Sequence, residues 1–319
     1  MASKGYKLDV AQFGCKKESA EGTAIAITTT EATMLARNLS YSADIPFHEV
    51  GAVSANHGQF KGVSGGPRTA TLSAEFPIKG SGVLGTAPAI DPILEAMGLL
   101  GVNDPGVSEI YKDTVHGSAM TAAWWVAADV TNGLKHILHG ARCSGEIILN
   151  CGEIPILKTE IMGVWNIPTQ TAMLGDITYE TTVSQDIAGG AFTLDSQNLK
   201  YRNFSINIEN DLVVRPDPNK ATGAFSVLIA KQRITATMDI EAEDPGTWDA
   251  FTEMTTDQEW AMSLVVGATQ GNIITITAPK VQIMEIGVSD RDGILSHELS
   301  LAFNRSGNTS PYALSIAFT

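Results

Sequence analysis

From Thr69 to Glu75 the chain reads T-A-T-L-S-A-E, with Ala70, Leu72 and Ala74 apolar and the positions between them polar. From Thr235 to Glu241 it reads T-A-T-M-D-I-E, and Ala236, Met238 and Ile240 hold the same places. A period of two sends successive side chains to opposite faces, so both segments predict strands with one face in a core. Each is followed by a short helical stretch, then long strands and a closing hairpin. A chain that repeats one small β unit suits a building block of an assembly better than an enzyme, whose chemistry sits in one asymmetric cleft.

The remaining pattern fills in the elements. Residues 1–22 read as a polar arm, Ala24–Ile27 as a short apolar run and Thr28–Glu31 as a turn. Ile45–Gly66, rich in Gly, Ser and His, predicts a long surface loop, a length that points to function. Ile90, Ile93, Leu94, Met97 and Leu100 form an apolar stripe on a helix opened by Pro88–Pro92 and ended by Gly101. Residues 102–118 read as a connecting loop. Strands follow at Thr121–Ala127, Leu134–Leu149 and Ile154–Trp165, with a tight turn at Asn150-Cys151-Gly152. Alternation places one of Trp124 and Trp125 inward and the other outward, as an interface anchor or as the rim of the same core.

Asn166–Gly190, with Pro168, Gly175, Gly189 and Gly190, holds the junction between domains 1–175 and 176–319. In the second domain, Leu199–Ile208 is a strand and Asn210–Gly223, with Pro216 and Pro218, a second long polar loop. Phe225–Glu241 is the repeated strand. A short helix starts at Thr247 as N-cap. Glu259–Val266, Ile273–Ile286, Leu295–Phe303 and Tyr312–Phe318 complete the strands. The fold class is all-β with short flanking helices, in two tandem β-sandwich domains.

Composition narrows the function. A length of 319 residues suits two domains with cores of their own, and 30 glycines with 13 prolines fit a turn-rich β fold. The N-terminus lacks the apolar core of a signal peptide and three cysteines make no disulfide framework, so the expectation is a protein made and kept in a cytoplasm. No apolar run is long enough to span a membrane. The net charge of −14 argues against gripping nucleic acid, since phosphate affinity comes from Lys and Arg, but it suits a surface along which DNA slides.

No motif yields chemistry. Gly80-Ser81-Gly82-Val83-Leu84-Gly85 matches G-x-G-x-x-G, but the strand before it is half polar, the next helix starts beyond it and no βα series follows; it reads as a close-packed turn. His136, His139, Cys143 and Cys151 match no zinc spacing, and an odd separation points the two histidines to opposite faces of a strand. No nucleophile elbow, H-E-x-x-H or Walker loop occurs, and the acids Asp239, Glu241, Glu243 and Asp244 read as a solvated cluster. No catalysis, cofactor or metal is expected.

The passage from Thr69 to Gly82, then Gly85-Thr86-Ala87-Pro88 and the helix ending Glu95-Ala96-Met97-Gly98, resembles the strand–Gly turn–Ala-Pro–helix passage of the phage major tail tube proteins. His139-Gly140-Ala141-Arg142, Gly145–Pro155 and Gly163-Val164-Trp165 are similar to that family's central β-hairpin. The resemblance is densest over residues 68–166 and thins from Leu199 to Phe318. It implies a structural virion protein of a tailed bacteriophage, assembled in the host cytoplasm into the virion tail, whose rings stack into a tube that conducts DNA without binding it. Two domains in one chain imply rings of three chains with pseudo-sixfold symmetry. Implied partners are the chain itself, the tape measure protein and the tail terminator and distal tail proteins, with no membrane. His48, Glu49, His57, Gln59 and Phe60 in the first long loop, and Asp211, Arg215 and Asp217 in the second, are then candidates for contacts between subunits or rings. A tandem carbohydrate-binding or adhesive β-sandwich is the alternative.

Overall fold

The computed structural model describes residues 5–51, 60–115, 117–129, 131–307 and 312–319. Among these residues the fold is all-β with two short helices. In order, the elements are β1 (Lys7–Lys17), β2 (Arg37–Asp44), β3 (Phe47–His48), β4 (Val63–Ser64), β5 (Thr69–Pro77), α1 (Asp91–Ala96), β6 (Leu99–Asp104), β7 (Ser108–Asp113), β8 (Met120–Asp129) and β9 (Asn132–Ile148). Then come β10 (Ile156–Trp165), β11 (Thr169–Thr171), β12 (Ala191–Leu194), β13 (Tyr201–Pro216), β14 (Ala224–Glu241), α2 (Ala250–Thr255), β15 (Trp260–Val266), β16 (Ile274–Arg291), β17 (Ile294–Asn304) and β18 (Ser315–Phe318).

Every strand pairing among the described residues is antiparallel, and the order of pairing repeats. In the first stretch β2 pairs β5, β5 pairs β10, β10 pairs β9, and β9 also pairs β8 and β11, with β1 on β8. In the second, β13 pairs β14, β14 pairs β17, β17 pairs β16, and β16 also pairs β15 and β18, with β12 on β15. Two further ladders fuse the stretches. Ser205–Ile208 of β13 pairs with the distal part of β9, and β18 pairs with β7. Among the described residues one 16-stranded sheet results, with β3 and β4 pairing each other apart from it.

Alternation decides which face is buried. Ala70, Leu72, Ala74 and Phe76 of β5 face the core, as do Ile206, Met238, Ile240, Leu299 and Leu301 of the second stretch. One large buried cluster draws residues from both stretches. Burying a side chain of this size is worth about 1.5–3 kcal/mol, so this shared core is what fuses them.

Several elements differ from the sequence expectation. The polar arm contains β1, whose Phe13 and Cys15 are buried against β8 while Lys16 and Lys17 stay partly exposed. The stripe on the first helix overreaches: Gly98, at φ 87°, ends α1, and Leu99 already belongs to β6. Residues 102–118 are no plain loop, because β6 and β7 form a hairpin there. Nor is Asn210–Gly223 a loop throughout: Leu212, Val213 and Val214 keep β13 extended to Pro216, leaving a turn at 217–223. The cap of α2 is Asp249, which accepts from the Phe251 N–H, and not Thr247. Both tryptophans are buried, because β8 is covered on both faces. Trp124 stacks on His136 beside Tyr41, and Trp125 packs with Ile27 and Ala123.

Candidate functional site

Opposite the core, the sheet presents a polar face. The intervening positions of each strand build it: Ser73 and Glu75 of β5, Lys158 and Glu160 of β10, Glu146 of β9, Ser205 and Asn207 of β13, Thr237 and Asp239 of β14, Glu298 and Ser300 of β17, and Glu285 of β16. Glu146, Asn203, Asp239, Glu285 and Glu298 line an open groove on it. Carboxylates dominate the face, and Asp239 stands directly opposite Glu298. Like charges placed so are destabilising. Arg291 offsets part of this, with Nη2 3.0 Å from Glu241 Oε1 and Nη1 3.5 Å from Asp239 Oδ1.

Two hairpin arms extend from the sheet. The second, the distal part of β13 and β14, folds back on the first stretch of its own chain. Arg215 Nη1 lies 3.3 Å from Glu21 Oε1 and its guanidinium sits over the Phe225 ring. Ser226 Oγ donates to Glu21 Oε1 at 2.6 Å, and the Arg68 N–H donates to the Thr222 carbonyl at 2.9 Å. Asn210 Nδ2 donates to the carbonyls of Met97 and Cys143. Among the described residues the first arm, β3 and β4, pairs only with itself and leaves Phe47, Val50, Phe60 and Val63 exposed.

The residues singled out from sequence therefore divide. His48 lies in β3 opposite Val63, and Glu49 and Phe60 are exposed nearby. His57 and Gln59 lie outside the described residues. Asp211 is an exposed residue of β13 opposite Lys231. Arg215 contacts Glu21 within the chain, and the Asp217 carboxylate accepts from Asn219 in the turn. None of these residues marks the edge of β2 or the distal edge of β16, which pair no further strand among the described residues, because an edge is set by register between distant strands.

The chemically suggestive residues have packing roles. Cys15 and Cys143 are buried, and burial pushes both thiols up; Cys143 Sγ lies 3.3 Å from the Ile93 carbonyl oxygen. Burial pushes His136 and His139 down, and His139 Nδ1 bonds the Asn166 amide. Among the described residues, no three His, Cys, Asp or Glu are grouped to hold a metal. Gly80–Gly85 is packed against the second stretch: the Gly80 N–H donates to Asn272 Oδ1 and the Gly82 N–H to the Gly271 carbonyl. Among the described residues no helix is long and apolar enough to cross a membrane.

No family model matches this chain, and no curated protein matches it.

Proposed function

We propose that this chain is a structural subunit that assembles with copies of itself into the DNA-conducting tail tube of a tailed bacteriophage. The observation that carries this reading is the two-sided character of the joined sheet, with a shared core on one face and an acidic, hydroxyl- and amide-rich surface on the other. A wall of a DNA conduit needs such a surface. Polyanion affinity comes from Lys and Arg, so a face where Glu146, Glu160, Asp239, Glu285 and Glu298 outnumber the cations repels DNA and lets it pass. The direct Asp239–Glu298 opposition is a stability cost that a face required to stay negative explains.

The resemblance over residues 68–166 supports the same reading, and so does the repeated order of pairing, which suits two quasi-equivalent units, 1–175 and 176–319, per chain. Rings of three chains would present six such units, stack into a tube in the virion tail, and meet the tape measure, terminator and distal tail proteins at its length and ends. The groove does not favour a carbohydrate-binding module, since Phe204, its aromatic residue, is buried. Light scattering of the purified protein tests the proposal. Masses in multiples of three chains, with no retention of duplex DNA at low salt, are expected. A stable monomer that binds glycans would overturn it.

A further inference from the structure

The ladder that joins the two stretches has counterparts left unpaired at two free sheet edges. Inside the chain, Ser205, Ile206, Asn207 and Ile208 of β13 stand opposite Ile148, Ile147, Glu146 and Gly145 of β9. The repeated pairing assigns each a counterpart. Leu72 of β5 stands between Tyr41 and Ile161, as Met238 of β14 stands between Phe204 and Leu299. Ser42–Ile45 therefore corresponds to Ser205–Ile208. Ile161 faces Cys143, as Leu299 faces Ile286, so Val288–Arg291 corresponds to Gly145–Ile148. Both counterparts have an open edge among the described residues. β2 pairs only β5, and beyond Val281 the edge of β16 away from β17 pairs no strand.

We propose that β2 of one copy, extended by Ile45, pairs antiparallel with the end of β16 in the next copy, with Ser42 opposite Arg291, Ala43 opposite Asp290, Asp44 opposite Ser289 and Ile45 opposite Val288. The proposal rests on the self-assembly part of the reading above and not on its DNA conduit. Its first support is an exposure mismatch between counterparts. Ile45 is 37% exposed where Ile208 is buried, and Leu295 is 56% exposed where its counterpart Leu157 is buried. Val288, opposite Ile45 in this register, is 61% exposed.

The arm adds a second support. Beyond Ile208, Asn210 reaches the Cys143 carbonyl at 2.7 Å. Its counterpart is Phe47, and the counterpart of Cys143 is Ile286. In this register the exposed first arm thus carries the Phe47 ring toward Ile286 of the next copy, where the second arm carries the Asn210 amide toward Cys143, and Phe47 is 62% exposed in the isolated chain. No like charges stand opposite one another in this register. The two edges are different surfaces, so the contact is head-to-tail and generates a closed ring or a filament. Pairing also removes two open edges that soluble monomers otherwise protect.

Cysteine crosslinking tests the register. Directly opposite residues of an antiparallel pair approach closely enough for a disulfide where they are not hydrogen-bonded, and such sites alternate. In a Cys151→Ser background, Ala43→Cys with Asp290→Cys and Asp44→Cys with Ser289→Cys cover both types of site. Ala43→Cys with Val288→Cys is the slipped control. After oxidation with copper phenanthroline, one matched pair gives a ladder of crosslinked oligomers on a non-reducing gel, and the slipped pair loses it. A ladder from the slipped pair alone, or none from any pair while light scattering still shows oligomers, overturns this junction and leaves self-assembly standing. A monomer at every concentration overturns both.

Discussion

Leu295→Ala separates association from folding in a way that follows from exposure alone. Full burial of a leucine side chain is worth about 1.5–3 kcal/mol. Leu295 is 56% exposed in the isolated chain, so covering the remainder in an assembled junction contributes about 1–1.5 kcal/mol. Truncation to alanine then weakens each junction about five- to tenfold. The fold loses little, because the side chain is half solvated already. Its counterpart gives the opposite result: Leu157 is fully buried, and Leu157→Ala leaves a core cavity costing about 2–5 kcal/mol of folding stability. Sedimentation velocity over a concentration series reads the association, and urea denaturation of dilute protein reads the folding. An unchanged association curve for Leu295→Ala, or a loss of urea midpoint close to that of Leu157→Ala, would refute the reasoning.

Three further outcomes are expected. Glu31 is the first of them: burial opposes its charge, but bonds from Lys16 and Thr28 outweigh that and lower its carboxyl to about 2, so its stabilising effect is full above its ordinary value of 4.5 and is lost as pH falls toward 2. Urea midpoints of the parent should fall across that window more steeply than those of Glu31→Gln; parallel curves would contradict the assignment. Gly80→Ala should cost about 1–3 kcal/mol of stability and so lower the urea midpoint, because a Cβ there runs into the Gly271 carbonyl oxygen, and an unchanged midpoint would show that the loop yields. Replacing Glu146, Asp239, Glu285 and Glu298 together by lysine should create DNA retention that fades steeply with salt in a gel-shift titration, whereas substitution of as many acids off this face should not.

Much of the fold was legible because its strands obey a period of two over a half-buried sheet. Thr69–Glu75 and Thr235–Glu241 announce β5 and β14, and the turn at Asn150–Gly152 separates β9 from β10 as its residues suggest. The failures share a cause, which is that a local pattern cannot report what covers a strand. Trp125 is buried as well as Trp124 because Ile27, Met173 and Leu174 pack over the second face of β8. The distal half of β13 has one exposed face and one only partly buried, so its Asn, Asp and Pro residues look like a loop although Leu212–Val214 hold the ladder. The candidate site was legible only as far as its regions. Glu49 and Phe60 point to the first arm, but the edges of β2 and β16 emerge only from register, which is set between strands far apart in sequence.

An electron-microscopic reconstruction of the assembled protein tests the central claim most directly. The account predicts hollow rings or tubes in which the sheet runs unbroken from β16 of one chain to β2 of the next, with Glu146, Asp239, Glu285 and Glu298 facing the lumen. Particles joined through other surfaces, or with that acidic face turned to the outside, would contradict it.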